Sequence, residues 1–199
     1  MRTCERLIGG GALALLLASS PAAAQTAKPQ PPKTPDFTVD VEGNLVVDFT
    51  VRMAAYSRLR AALEEGLPKL AVTDNPTDIL RAETALAVRI RNARSGAQHG
   101  IFTRSIRAAF RQILKVETNP ATCAGVMDEN PGKFPYRVNS TYPKTRSLST
   151  VPPSILAALP VLPDDVNYRF IGRDLILHET RANLILDRVD DAIRCRSDH

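Results

Sequence analysis

The 199-residue sequence is poor in the residues from which catalytic and metal centres are usually assembled. It has three cysteines and three histidines, and no CxxC or CxxCH. That excludes redox-motif and haem readings, and leaves no local cluster of metal ligands. His178-Glu179 opens like HExxH, but the chain continues Thr180-Arg181-Ala182, so the second imidazole is missing. No metal and no cofactor are expected. There is no GxSxG elbow, and Ser140, Ser147 and Ser149 lie in a Thr/Ser-rich stretch. No glycine-rich phosphate loop is present, since Gly9-Gly10-Gly11 falls in an N-terminal apolar segment. Pairs such as Glu64-Glu65, Asp164-Asp165 and Asp190-Asp191 are adjacent, and adjacent side chains diverge, so they read as solvated surface rather than an acid/base couple. There is no internal repeat, and no apolar run near the roughly 20 residues of a membrane-spanning helix.

What is present begins with an address. Arg2 and Arg6 precede an apolar stretch from Leu7 to Ala18, followed by Ser19-Ser20-Pro21 and Ala22-Ala23-Ala24. This is the three-part pattern of a secretory signal over 1–24, with cleavage after Ala24. A periplasmic or secreted mature chain would then begin at Gln25. Cys4 precedes the apolar stretch, the wrong place for a lipid-modified cysteine, and it leaves with the signal. Cys123 and Cys195 remain, and in an oxidising compartment two thiols tend to pair. A bridge would close a loop of about 70 residues and contribute roughly 4 kcal/mol in the chain-entropy model. Two distant free thiols, or a thiol pair on a metal, are the alternatives.

Charge is modest. Twenty-six Lys and Arg against 21 Asp and Glu give +5, which permits weak attraction to anionic surfaces without indicating nucleic-acid binding. Export would also separate the protein from nucleic acid, so no such partner is expected.

The organisation predicted is α+β. Residues 25–36, QTAKPQPPKTPD, form a Pro-rich leader without hydrophobic periodicity. A helical part over 37–117 follows as an antiparallel bundle of about three helices. The first is ambiguous: residues 37–51 alternate around Glu42-Gly43-Asn44 like a hairpin, whereas Phe49, Met53, Tyr56 and Leu63 follow the helical period. A helix from about Leu45, capped by Asn44 and ended by Gly66-Leu67-Pro68, is expected. The second runs over about 76–95, with Asn75 as cap, Pro76 at the first position and Ile79, Ala82, Leu86, Ile90 and Ala93 as its apolar face. The third follows Thr103, with Ile106, Phe110, Ile113 and Leu114 inward. Residues 118–199 are loop-rich, too punctuated for long helices until a short turn at Ser154–Leu159. A hairpin about Gly172-Arg173 and a third strand near Asn183–Asp187 close the chain.

The run YRFIGRDLILHETRANLILDRVDDAI, preceded by VPPSILAALPVLP, resembles the C-terminal signature of an uncharacterised family of exported bacterial proteins. The segment NPTDILRAETALAVRIRNARSGAQHGIF is similar to the same family's helical part. The resemblance implies export and the helix-then-strand layout, and brings no activity, cofactor or catalytic residue.

One pattern points to binding. Arg104, Arg107, Arg111 and Lys115 recur at steps of three and four on the third helix, with Arg89, Arg91 and Arg94 upstream. Such a stripe suits an anionic envelope surface or an acidic protein partner. The plain alternative is a solvated face paired with Glu64, Glu65, Asp78 and Glu83. The leading expectation is therefore a non-enzymatic exported binding protein. The alternative is a hydrolase or metal-dependent enzyme whose site assembles around His178 or His99, with Glu179 or Asp174 beside it.

Overall fold

The computed structural model describes residues 37–67, 75–96 and 100–195, with side chains from residue 43 onward. The signal-like segment, the Pro-rich leader, His99 and His199 lie outside the described residues. Five helices precede a three-stranded antiparallel sheet, as an α+β chain should.

The first helix, α1, spans Phe37–Glu64. The hairpin alternative over residues 37–51 does not form, and Asn44 sits within the helix rather than at its cap. The three-and-four spacing outweighs the local β-branched alternation because it carries Phe49, Met53 and Tyr56 into the core, all buried. Gly66, at φ 74°, stands where the chain leaves α1. The second helix, α2 (Pro76–Ala93), is capped by Asn75, whose side chain accepts from the Thr77 amide. Leu86, Ala87 and Ile90 are buried, while Ile79 is largely exposed. The inward face is thus displaced from the expected line through Ile79 and Ala93. The third helix, α3 (Arg104–Glu117), starts from its Thr103 cap and buries Ile106, Ala109, Phe110 and Leu114.

A fourth helix, α4 (Pro120–Met127), occupies part of the region expected to be broken. Asn119 and Thr122 cap it reciprocally: the Asn119 side chain accepts from the Thr122 amide, and the Thr122 hydroxyl accepts from the Asn119 amide. Eight residues with a strong cap fit between the prolines. The short α5 covers Pro153–Ala158.

The sheet order is β1 (Val166–Ile171), β2 (Asp174–Glu179) and β3 (Leu184–Val189). Gly172, first of the two residues between β1 and β2, has φ 58°, the conformation a type II′ hairpin asks of its first turn residue. Asn130 clasps this turn, accepting from the Gly172 amide and donating to its carbonyl, both at 2.9 Å. The register pairs Asn167 with His178 and Ile171 with Asp174. Between β2 and β3 it shifts at Leu177/His178, so Asp187 lies opposite Leu177 while Ile185 lies opposite His178. This extra residue places Asp187 toward the helices.

One core joins helices and sheet. Phe49, Phe102 and Phe110 meet with ring centroids 4.9 to 5.5 Å apart. The same cluster continues through Tyr168, Phe170, Leu175, Leu177 and Leu186. On the opposite face of the sheet, Ile171, Ile176 and Ile185 pack under Phe134, Tyr136 and Tyr142 from the irregular segment before α5. The Cys123–Cys195 disulfide is present, with 5.5 Å between Cα atoms, and ties α4 to the chain beyond β3. No helix among the described residues is long and apolar enough to cross a membrane.

Candidate functional site

Both edges of the sheet are closed. On the β1 side, the Ser149 hydroxyl accepts from the Phe170 amide at 2.7 Å and donates to its carbonyl at 2.9 Å. On the β3 side, residues 139–142 pair with Asn183 and Ile185 through the backbone. Beyond them, the carbonyls of Leu186, Arg188 and Asp190 accept from Arg94, Arg107 and Arg111 respectively, at 2.9 to 3.1 Å. Two arginines of the predicted stripe, Arg107 and Arg111, therefore hold an edge strand that would otherwise offer bare carbonyls to another chain. Arg104 and Lys115 stay exposed. The acids expected as partners lie elsewhere: Glu64 pairs with Arg60 and Arg181, Asp78 with Arg81, and Glu83 with Lys144.

Two carboxylates are fully buried and hold the architecture. Asp187 accepts from the amides of Ile101 and Phe102 at 3.0 and 2.8 Å and from the Arg188 amide at 2.8 Å. It thereby anchors the segment before α3. Glu179 accepts from the Ala182 amide within the β2–β3 turn and faces Arg60 at 3.5 Å. Burial pushes its carboxyl up, opposed by the Ala182 amide and by Arg60. Arg60 also meets Asp165 at 2.5 Å, so Glu179 belongs to a clamp between α1 and the sheet.

The remaining polar arrangement is a cleft of about 350 Å³ where α2, the 142–148 segment and the loop-covered face of the sheet meet. Its wall includes Glu83, Lys144, Arg146, Arg169, His178 and Asn183. His178 is 3 % exposed. The Asn183 amide nitrogen donates to the Tyr142 carbonyl at 3.0 Å, which orients the Asn183 oxygen toward His178 Nε2, also at 3.0 Å. Nε2 therefore carries the proton and Nδ1 keeps its lone pair in the neutral ring. Burial lowers the His178 pKa, with the Asn183 bond and Glu83 opposing and Arg169 reinforcing. His178 Nδ1 and Arg169 Nε are both buried without a hydrogen-bond partner. Arg169 is held at its other end, where Nη1 donates to the Ser149 carbonyl at 2.9 Å. Arg146 lies over the Phe134 ring at 5.4 Å.

Of the residues considered around the alternative site, His178 lines the cleft. Glu179 is in the Arg60 clamp, and Asp174 accepts from the Tyr136 hydroxyl at 2.8 Å on the sheet's far end. Among the described residues no group of three or more His, Cys, Asp or Glu is placed to hold a metal. Arg169 escaped notice in the sequence, although a two-residue turn at Gly172-Arg173 already sets Asn167 opposite His178 and so puts Arg169 on the same face. No family model, curated protein or solved structure matches the chain.

Proposed function

We propose that the protein is an exported, non-enzymatic binding protein that holds an envelope component or a protein partner. The observation that carries this reading is the cleft: a recess of about 350 Å³ on a rigid sheet face, rimmed by Lys144 and Arg146 and backed by Arg169 and His178. A buried donor or acceptor without a partner costs about 1 to 3 kcal/mol. A bound ligand recovers that energy. Export rests on the signal-like residues 1–24, and the Cys123–Cys195 bridge supports it, because such bridges persist in oxidising compartments. Membership of the family of exported bacterial proteins rests on the resemblance of the C-terminal run. Arg104 and Lys115 supply an outer cationic face for an anionic surface, with Arg107 and Arg111 committed to β3.

Native mass spectrometry of protein recovered from the exported fraction tests the reading. A mass beginning at Gln25, a gain of about two daltons on reduction, and a non-covalent adduct absent from the Lys144→Gln/Arg146→Gln variant are expected. A bare chain in both samples, with no partner crosslinked in cells, sinks it. A second reading, hydrolysis with His178 as general base, is favoured by one observation: the Asn183 bond leaves the Nδ1 lone pair in the cleft wall. Turnover of ester or phosphoester substrates that disappears in His178→Gln would support it over simple binding.

A further inference from the structure

We infer that the cleft binds a singly protonated phosphoryl group, which accepts from Arg169 Nε and donates its P–OH proton to His178 Nδ1. The inference rests on the binding reading above and names the ligand class. Among the described residues, three buried side-chain nitrogens and oxygens have neither a hydrogen bond nor an ion pair: Tyr56 Oη, Arg169 Nε and His178 Nδ1. Two of the three residues that carry them, Arg169 and His178, line one cleft.

Their chemistry is complementary rather than redundant. Arg169 Nε is a donor at every accessible pH. His178 Nδ1 is an acceptor in the neutral ring, because Nε2–H is engaged by Asn183, itself oriented by Tyr142. The fitting group must therefore accept at one atom and donate at another while carrying negative charge. Carboxylate and sulfate are acceptors only near neutral pH. A phosphate monoester, with its second pKa near 6, carries both P–O⁻ and P–OH below and around that value. The register supports the reach: Arg169 pairs with Ile176, two residues from His178 on the same face of β2. Diagonal neighbours of this kind stand about 7 to 8 Å apart at the backbone, a span that long side chains close. Charge agrees as well. Arg169, Arg146 and Lys144 line the cleft against the single acid Glu83, which Lys144 meets at 2.8 Å. The groups that face His178 are Arg169, Glu83, Asn183 and the Tyr142 ring, 5.4 Å away.

The test is calorimetric titration of the full chain with inorganic phosphate and phenyl phosphate, with sulfate as comparator, repeated on vesicles with and without phosphatidic acid, whose monoester headgroup keeps a P–OH. Saturable phosphate binding is expected, weakened about tenfold or more in Arg169→Gln and in the rim variant Arg146→Gln. Sulfate should bind more weakly by a similar factor, and phosphate affinity should fall as pH rises from about 6 to about 8. Arg81→Gln, on the exposed side of α2, should leave phosphate binding unchanged. Binding to phosphatidic acid vesicles with the same Arg169 and Arg146 dependence assigns the phosphoryl group to a lipid headgroup; binding to the soluble esters alone assigns it to a small molecule. Equal affinity for sulfate, binding indifferent to both cleft variants, or no saturable binding to any phosphoryl probe overturns the inference. Arg146→Gln touches the rim rather than the sheet, so it remains informative if Arg169→Gln fails to fold. A retained adduct lacking phosphorus, with no phosphate binding, would remove this ligand class and leave the binding reading intact.

Discussion

The two faces of the three-stranded sheet are covered by different means. Toward the helices, burial is mostly hydrophobic: Phe49, Phe102 and Phe110 stack over Tyr168, Phe170 and Leu177, and the one fully buried acid at the centre, Asp187, is saturated by backbone amides. Toward the 128–150 segment, a smaller cluster of Phe134, Tyr136 and Tyr142 shares the surface with guanidinium groups lying over rings, as Arg146 does over Phe134 and Arg188 over Tyr136. The first face leaves one buried hydroxyl, that of Tyr56, without a partner, whereas the second keeps a recess lined by Arg169 and His178, each of which carries a buried nitrogen without one. The contrast is one of degree: unsatisfied polar groups cost stability wherever they are buried, and the loop face concentrates two of them at one recess.

Substitutions should therefore divide by face. Phe110→Ala removes the ring that meets Phe49, Phe102 and Tyr168 and should lower unfolding free energy by about 3 to 5 kcal/mol, read from urea denaturation. Replacing Cys123 and Cys195 with serine should cost roughly 2 to 4 kcal/mol, since the bridge spans 72 residues, with an equal shift on reduction of the native protein. Asp187→Ala leaves the Ile101 and Phe102 amides without their acceptor and should cost about 2 to 3 kcal/mol. Arg111→Ala, exposed at the sheet edge, should cost about 1 kcal/mol or less while raising self-association measured by light scattering. On the loop face, Arg146→Gln should leave the urea midpoint nearly unchanged; a loss comparable to Phe110→Ala would erase the distinction between the faces.

The pH dependence sharpens the same contrast. Burial lowers the His178 pKa below its ordinary 6.5, so below that value the unfolded chain binds a proton that the native ring refuses. Stability should fall as pH drops through this window, and more shallowly in His178→Gln, by denaturant titrations at stepped pH. Phosphate should reduce the slope if its P–OH occupies Nδ1.

Helix 2, helix 3 and the hairpin were legible because their signals are local. Asn75-Pro76 and Thr103 cap where expected, and Gly172 turns where its lack of a side chain permits. The start of α1 was not legible, because Gly43-Asn44 within a β-branched run reads as a turn until Phe49 finds Phe102 and Phe110. α4 was hidden by its own proline, although Asn119-Pro120 is both a break and a good helix start. The cleft was half legible: His178 stands out as an incomplete metal motif, while Arg169 and Arg146 belong to no motif and carry no local signal.

By itself the sequence determined the α+β order, the Asn75 and Thr103 caps, the hairpin turn and the presence of Cys123 and Cys195 outside the signal-like segment. All follow from short-range sterics, hydrogen bonding and periodicity. Only the tertiary structure decided which arginines of the stripe find partners. Arg107 and Arg111 sit on a helical stripe that looks free in one dimension, yet the strand whose carbonyls they meet lies about 80 residues further along. Spacing along a helix fixes which side chains share a face, whereas their partners depend on the element that packs against it.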